Sequence, residues 1–433
     1  MENIVEIAKK AACEAEIFAV TSEDTSVQFE ANRLKHIQSS QSTNVALRII
    51  KDGKIGYSTA TDLEDSQSLV DMAVETAQFG MEARFEFPPP ASYPEVDIFD
   101  PAVETVSTEE MARLGEEIIT AVKGNTPGLI SEGGVSRATV TVRIMNSRGG
   151  QAEYKKSVFS IGIEGQLIRG TDMLFVGDGR SSCSPLLDAD IITQEVIKQL
   201  EWAKNQASVR TGLMPVIFTA HGIASSLVMP LVAAFNGKTV FEGASPIGNK
   251  AGQQVFNERF GLVDDPLVAF RPSSRPCDDE GIPGRKTALI EKGVVKSFLY
   301  DLQTAGLAGT HSTGNGRRGG GGLPSPSPNA FVITPGDTTF DEMIADIKEG
   351  LVVEQLMGAS QGNILGGDFS GNVLLGYKIE NGKIAGRVKD TMVSGNIYRL
   401  LSDIAAIGSE PKWVGGMLNT PPIYLPAVSV ASK

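Results

Sequence analysis

The chain has 433 residues, of which 41% are apolar and 21% charged, a composition typical of a folded globular protein with two or three domains. Its formal net charge of −13 disfavours direct binding to nucleic acid and to anionic membranes, because both partners require a basic surface. Three widely separated cysteines, a charged N-terminal segment and the lack of any run of ~20 apolar residues favour a cytoplasmic protein without disulfides, zinc ribbon, signal peptide or membrane span.

The first 80 residues predict a mixture of helix and antiparallel strand. A short helix is expected over Ile4–Glu14. Apolar residues then alternate over Val45–Ile49, and Asp52-Gly53 is a strong hairpin signal. Asp62 is expected to begin a second helix with its apolar face toward the core.

The next segment predicts a connector and a second unit of similar design. Pro88–Pro90 indicates a connector and a possible sub-boundary near 85–105. Ser107 with Glu110 three residues later predicts a helix start with a capping box. Alternating apolar residues over Val140–Ile163, interrupted by a turn, predict another hairpin, so this unit loosely repeats the first.

A change of composition near residue 210 predicts the main domain boundary. A helix near Thr193–Ala207 closes the first part, and the later sequence is richer in glycine and β-branched residues. Hairpins are expected at Lys292-Gly293 and Asn381-Gly382. The sequence therefore predicts an α+β protein, with an α+β domain over 1–210 and a β-rich domain over 211–433.

The densest polar segment runs from Ser274 to Gly322 and contains the acids Asp278, Asp279 and Glu280. Successive side chains of an extended segment point to opposite sides, so only Asp278 and Glu280 can share a face. These two could bind a hard cation with His311, the histidine best placed for function. The acids could equally form ion pairs with neighbouring arginines, namely Arg275, Arg285, Arg317 and Arg318. Cys277 beside these acids is expected to have a raised pKa, which disfavours a reactive thiolate.

Two short patterns match well-known motifs but fail in their surroundings. Gly314–Gly319 spells GxGxxG, yet no buried strand precedes it and a Gly/Pro-rich segment follows, which disfavours a dinucleotide site. Gly358–Gly362 spells GxSxG, but His311 is the last histidine, so the chain order of a Ser-His-Asp hydrolase is excluded. We interpret Ser360 as a loop serine.

The other two histidines have structural interpretations. His36 lies in a polar stretch and is expected to face solvent. His221 follows the buried-strand candidate Val216–Phe218, where a helix over His221–Phe235 is expected to begin, so a capping or packing role is favoured.

Three runs in the second half resemble the TldD/PmbA family. They are CDDEGIPGRKTALIEKGVVKSFLYD at 277–301, THSTGNGRR at 310–318 and GYKIENGKIAGRVKDTMVSGN at 376–396. The resemblance implies an α+β N-terminal half, a β-rich C-terminal half, and a metallopeptidase that acts as a heterodimer on unfolded or flexible peptides.

The chain departs from the zinc motif of TldD-type subunits, His-Glu-x-x-x-His. The corresponding positions, Ala220, His221 and Ser225, hold one histidine and no glutamate, and Lys412–Met417 lacks the family's C-terminal cysteine. The resemblance therefore implies a PmbA/TldE-type subunit with no catalytic residues and no metal of its own. Zinc is expected in a TldD-like partner, and a homodimer is the alternative assembly.

In this interpretation the polar segment shapes a peptide cavity or a subunit contact. The candidate residues are Asp278, Asp279, Glu280, Gly281, His311, Gly314, Asn315, Gly316, Arg317 and Arg318. Two alternatives remain open. The chain could be an independent hydrolase with a metal at Asp278, Glu280 and His311, or a non-proteolytic regulator that binds DNA gyrase or toxin–antitoxin proteins.

Overall fold

The computed structural model describes residues 1–11, 13–62, 65–170, 172–319 and 322–432. Within them, the N-terminal half is built on an antiparallel sheet of six strands in the order β3-β2-β1-β4-β5-β6. The strands are β1 (Glu14–Glu30), β2 (Arg33–Lys51), β3 (Lys54–Ala60), β4 (Ile130–Asn146), β5 (Gln151–Arg169) and β6 (Asp172–Ser182). The helices are α1 (Glu2–Lys10), α2 (Ser66–Ala77), α3 (Ala102–Thr105), α4 (Thr108–Asn125) and α5 (Asp190–Trp202).

The sheet consists of two meanders that meet between β1 and β4. The first meander is preceded by α1 and followed by α2, whereas the second is preceded by α4 and followed by α5. β1 and β4 each have 17 residues, and β2 and β5 each have 19. The loose repeat in the sequence thus corresponds to a repeated topology.

Local signals account for two of the element boundaries predicted in this half. Asp52 and Gly53 both have positive φ, so β2 and β3 form the expected two-residue hairpin. The Ser107 side chain accepts a hydrogen bond from the Glu110 backbone N–H and caps α4, which is one of the two bonds of the predicted capping box. Asp62 does not begin α2, because Asp65 provides the cap by accepting from the Ser68 N–H.

The C-terminal half is mainly β-structure. Its strands are β7 (Gln206–Ala207), β8 (Gly212–Phe218), β9 (Leu262–Asp264), β10 (Thr287–Glu291), β11 (Val294–Val295), β12 (Gly316–Arg318), β13 (Pro324–Pro326), β14 (Phe331–Ile333), β15 (Glu349–Met357), β16 (Asp368–Glu380), β17 (Lys383–Val388), β18 (Thr391–Asn396), β19 (Ala406–Ile407), β20 (Lys412–Val414), β21 (Leu418–Thr420) and β22 (Ile423–Ser432). Its helices are α6 (Ala220–Ser226), α7 (Val228–Phe235), α8 (Gly237–Phe241), α9 (Leu302–Leu307), α10 (Phe340–Ala345) and α11 (Ile397–Leu400). The α+β class expected from the sequence is confirmed.

Five strands of this half close into a ring. β15 pairs with β8, β8 with β22, β22 with β18, β18 with β16, and β16 again with β15. A second sheet has the order β11-β10-β9-β14-β21-β20, and β12 pairs with β13. Both expected hairpins, at Lys292-Gly293 and Asn381-Gly382, are present.

The ring packs against the N-terminal half through its outer face. Val216 and Phe218 belong to the core of the C-terminal half, whereas Ile217 between them packs in a cluster with Val196 and Leu200 of α5. Helix α5 ends at Trp202 and not at Ala207, because Gln206 and Ala207 form β7 beside β17. In the described ranges no helix is long and apolar enough to cross a membrane.

Candidate functional site

The segment with the three acids forms a tight loop that Asp278 organises. Its Oδ1 accepts hydrogen bonds from the backbone N–H groups of Glu280, at 3.0 Å, and Ile282, at 2.9 Å, and its Oδ2 accepts one from Gly316, at 2.9 Å. Gly281 has φ +75, a conformation that glycine adopts without strain. Burial raises the pKa of Asp278 to about 7, although these backbone donors lower it.

Glu280 joins this loop to the N-terminal sheet through buried ion pairs. The Nη1 of Arg48 lies 2.6 Å from Oε1 of Glu280, and its Nη2 lies 2.9 Å from Glu16 on the adjacent strand. Glu16 also pairs with Arg318 from β12. Burial raises the pKa of Glu280 to about 8, and Arg48 offsets only part of that effect. We call Glu16, Arg48, Glu280 and Arg318 the buried ion network.

Sequence reasoning missed Arg48 and Glu16. Arg48 is 1% exposed and its guanidinium lies 4.5 Å from the ring centre of Phe85 and 5.3 Å from that of Phe87. The available signal was a charged residue within the apolar run Val45–Ile50, because a strand with both faces buried rarely contains an unpaired arginine.

Asp279 and Glu280 lie in a turn and not in the extended segment that the sequence predicted, and Asp279 has partners of its own. Its Oδ1 lies 2.8 Å from Nη1 of Arg275, and its Oδ2 accepts a hydrogen bond from the backbone N–H of Arg318 at 2.7 Å. The predicted pairing with Arg275 is therefore confirmed. Arg285 does not pair with the acids: its Nη2 donates to the carbonyl oxygen of Ser312 at 2.6 Å.

Asn315 serves a second buried carboxylate, Asp264, which sequence reasoning also missed. The Nδ2 of Asn315 lies 2.7 Å from Oδ2 of Asp264, and Asn329 donates to the same side chain through its backbone N–H and its Nδ2. All three side chains are fully buried. Burial raises the pKa of Asp264, although these donors lower it.

The remaining candidates of this segment lie at its surface or shape its backbone. Gly314 has φ +77, and β12 begins at Gly316, so the GxGxxG motif continues into a strand and not a helix. His311 is exposed, whereas Asp278 and Glu280 are fully buried. Gly320 and Gly321, at the end of the glycine-rich stretch, lie outside the described residues.

Burial also determines the chemistry of Cys277 and the environment of Ser360. Burial and then Asp278 raise the pKa of the Cys277 thiol, as the sequence predicted. Ser360 is exposed in a single 3₁₀ turn, Ala359–Gln361, bordered by Gly358 with φ +78. No α-helix follows it directly, so the nucleophile-elbow geometry is not formed.

A second polar cluster lies where β8 is followed by α6. Thr219 caps α6 by accepting a hydrogen bond from the Gly222 N–H at 3.2 Å. The Nε2 of His221 lies 3.1 Å from Oδ1 of Asp178 on β6. The Nη2 of Arg180 lies 3.0 Å from the other oxygen of Asp178. The packing role expected for His221 is thus supplemented by a buried carboxylate partner.

Three charged groups complete this second cluster. Glu354 on β15 is 7% exposed, and burial raises its pKa, although His221 lowers it. The Nζ of Lys412 lies 2.5 Å from Glu195 on α5. Burial lowers the pKa of His221, but Asp178 and Glu354 raise it more, so the net shift is upward. We call Asp178, His221 and Glu354 the acid–histidine cluster.

The donors at this junction do not fit a zinc ion. Ala220 is buried and has no ligand atom, and Ser225 donates to the carbonyl oxygen of Gly222 and accepts from the Leu356 N–H. His221 is held by Asp178. Among all described residues, no group of three or more His, Cys, Asp and Glu side chains is placed to hold a metal ion. The alternative site of Asp278, Glu280 and His311 is likewise not assembled there.

Comparisons with known proteins agree with this architecture. A family model described as PmbA/TldA metallopeptidase C-terminal domain matches residues 211–432, and one described as PmbA/TldA metallopeptidase domain 1 matches residues 15–77. The first match alone covers more than half of the chain. The chain belongs to the TldD/PmbA family.

Two of the similar proteins correspond to nearly the whole chain, and a third corresponds to about half of it. The crystal structure of TldE from Thermococcus kodakarensis superimposes with a TM-score of 0.90 at 25% identity and covers 100% of both chains. A Metalloprotease PmbA homolog of Haemophilus influenzae is 24% identical and covers 94% of this chain and 90% of its own length. A Metalloprotease TldD homolog of the same organism is 29% identical but covers only 52% of this chain and 48% of its own length.

Proposed function

We propose that this chain is a PmbA/TldE-type subunit of a two-subunit metallopeptidase that cleaves unfolded or flexible peptides. In this proposal the chain is not catalytic, and a TldD-like partner holds the zinc ion and the residues of the reaction. The observation that carries the proposal is the β8–α6 junction, where Ala220, His221 and Ser225 offer a single metal-ligand side chain, which pairs with Asp178.

The extent of similarity supports the same assignment. The PmbA homolog and TldE correspond to this chain over nearly its full length, whereas the TldD homolog corresponds over about half of it. The half of this chain that the TldD homolog does not match is the part in which the two subunit types would differ. A match over the whole chain therefore favours the PmbA/TldE type.

An extended peptide or a partner chain requires an accessible surface near a sheet. The end of the β1–β2 hairpin offers one, since every residue from 33 to 42 is exposed and this stretch is rich in serine and glutamine. β3 pairs with β2 only from Val45 to Lys51, so in the described residues the stretch 33–42 pairs with β1 alone and its other side is an edge of the sheet, where pairing with an added strand depends little on sequence. We propose this hairpin end as part of the subunit contact or the peptide path.

The decisive experiment compares the chain alone, a TldD-like partner alone and the two together. Each sample is measured for bound zinc and for cleavage of an unfolded protein such as reduced casein, with and without a chelator. We expect stoichiometric zinc and chelator-sensitive cleavage only in samples that contain the partner, and a stable complex by size-exclusion chromatography. Zinc-dependent cleavage by this chain alone would overturn the proposal.

The same samples address how the chain assembles. A homodimer of the chain that dissociates when the partner is added would identify the heterodimer as the preferred assembly. Binding to DNA gyrase with no effect of the partner would favour the non-proteolytic regulator instead.

The three cysteines are buried free thiols, which fits the cytoplasmic location that we propose.

A further inference from the structure

A recess lined by cations lies where the polar segment meets the N-terminal sheet. Lys156 on β5 donates from Nζ to the carbonyl oxygen of Pro272 at 2.8 Å, which fixes it against the segment that leads to Arg275. Arg317 on β12 and Tyr154, two residues before Lys156 on the same face of β5, complete the lining. We call Tyr154, Lys156, Arg275 and Arg317 the basic recess.

The basic recess is enclosed yet open to solvent. Arg275 is 4% exposed and is the most buried of the four side chains. Tyr154, Lys156 and Arg317 are each half-buried, although protein surrounds them on most sides. Side chains that are deep in the protein and still reach solvent line a concave surface, which is the shape of a ligand site.

The charges in the basic recess are not balanced by the protein. Asp279 acts on all three cations, but it is already bound by Arg275 and by the Arg318 backbone N–H. Asp264 also acts on Arg275 and Arg317, but its oxygens are bound by Asn315 and Asn329. Neither Lys156 nor Arg317 forms an ion pair with any residue in the described ranges. Two cations of the basic recess therefore have no ion-pair partner of their own among these residues.

The same imbalance lowers the pKa of Lys156 and of Arg317. Burial and then Arg275 lower the pKa of Lys156 to about 7. Arg275 and then burial lower the pKa of Arg317 to about 10. Each cation is thus destabilised by its neighbours, and an anion bound among them would remove that cost.

We propose that the basic recess binds an oxyanion and that, within the proposed peptidase complex, this ligand is a carboxylate of the peptide. A guanidinium presents parallel N–H groups that match a carboxylate or phosphate, and the ammonium of Lys156 and the hydroxyl of Tyr154 add further donors. The assignment of an oxyanion site rests only on the residues of the basic recess. The assignment to a peptide carboxylate rests on the proposed function, whose substrate is a peptide.

The first experiment tests the oxyanion site on the full-length chain alone. Calorimetric titrations with sodium succinate and with inorganic phosphate, at low ionic strength, are run on the wild type, Lys156→Gln and Arg317→Gln. Loss of one charge-assisted hydrogen bond should weaken binding about tenfold or more. Arg113→Gln, which removes an exposed arginine of α4, is the matched control and should bind as the wild type does.

Thermal unfolding separates a binding role from a structural one. Since Lys156 and Arg317 have no ion-pair partner among the described residues of the ligand-free protein, their removal should leave Tm unchanged or raise it. At the same concentration, added anion should raise Tm more in the wild type and the control than in the two variants. Absence of saturable anion binding by the wild type, or equal binding by all four proteins, would overturn the site.

A second experiment identifies the source of the oxyanion. The hexapeptide Ala-Ala-Gly-Val-Ala-Ala with a free C-terminal carboxylate is compared with its C-terminal amide on the same proteins. Preference for the free acid, lost in Arg317→Gln, supports a peptide carboxylate. Equal binding of both peptides, or phosphate binding more than tenfold tighter than succinate, would overturn that assignment while the anion titrations still decide the site itself.

Discussion

Arg48 and Glu280 form an ion pair with Nη1 and Oε1 2.6 Å apart, although 232 residues separate them in the sequence. Both side chains are buried, one on β2 of the N-terminal sheet and the other in the loop after Cys277. Through Glu16 and Arg318 the same network extends to β12. The polar segment that carries the family signature is thereby attached to the N-terminal half by charge as well as by packing.

Substitution Arg48→Met should destabilise the protein by about 3–5 kcal/mol, because Glu16 and Glu280 would remain buried without their common partner. Urea unfolding measures the change in the free energy of unfolding. The double substitution Arg48→Met/Glu280→Gln should recover part of the loss, since it also removes one of the stranded carboxylates. Arg113→Met, at an exposed pair on α4, should change stability by less than about 1 kcal/mol.

The single variant Glu280→Gln is measured as well. A double variant whose loss of stability equals the sum of the losses in Arg48→Met and Glu280→Gln would show that Arg48 and Glu280 do not interact. The result would then assign the loss to the packing of Arg48 against Phe85 and Phe87.

The acid–histidine cluster predicts a pH dependence of stability. The folded-state pKa of His221 is raised, so its contribution is fully present below the ordinary value of roughly 6.5 and is lost as pH rises through the raised value. The free energy of unfolding of the wild type should therefore fall relative to that of His221→Gln between these two values.

Direct titration tests the cause. NMR signals of the histidine ring carbons come from three residues, namely His221 and the exposed His36 and His311. In Asp178→Asn the largest upward contribution is removed and burial remains, so the pKa of His221 should fall. An unchanged pKa in this variant would exclude Asp178 as the partner that raises it.

The fold was predictable from the sequence wherever a signal is local. The Asp52-Gly53 hairpin and the Ser107 cap depend on residues within a few positions of each other, and both are present. The pairing of Asp279 with Arg275, four residues apart, was predictable for the same reason. The partners of Glu280 and Asn315 were not, because Arg48 and Asp264 reach them only after the chain has folded.

The domain boundary near residue 210 remains a prediction, and the packing across it suggests a test. The hydroxyl of Tyr377 on β16 donates a hydrogen bond to the carbonyl oxygen of Gln199 at 3.3 Å. The centroid of the Tyr377 ring lies 5.2 Å from that of the Trp202 ring. If fragments 1–210 and 211–433 are produced separately, each should expose the apolar side chains that pack across the boundary in the intact chain. Each fragment should therefore bind a hydrophobic dye.

Mixing the two fragments should restore a complex of one copy each, with dye fluorescence reduced to the level of the intact chain. Stable fragments that neither bind dye nor associate would show that the boundary divides independent domains, and that burial across it contributes little.

The close approach of Gly316 to the buried ion network predicts a strong effect of a single methyl group. A Cβ at this position would lie 2.4 Å from Oε2 of Glu280, whose side chain is fully buried and paired with Arg48. Gly316→Ala should therefore destabilise the protein by roughly 1–3 kcal/mol through overpacking. Gly319→Ala, three residues later, has nothing within 4 Å of the added methyl group and should change stability by no more than about 0.5 kcal/mol.

Combining Gly316→Ala with Glu280→Ala, which removes the obstructing carboxylate, should abolish the clash, so that the methyl group destabilises the protein less in that background. An equal loss in both backgrounds would locate the constraint in the backbone of β12 and not in Glu280.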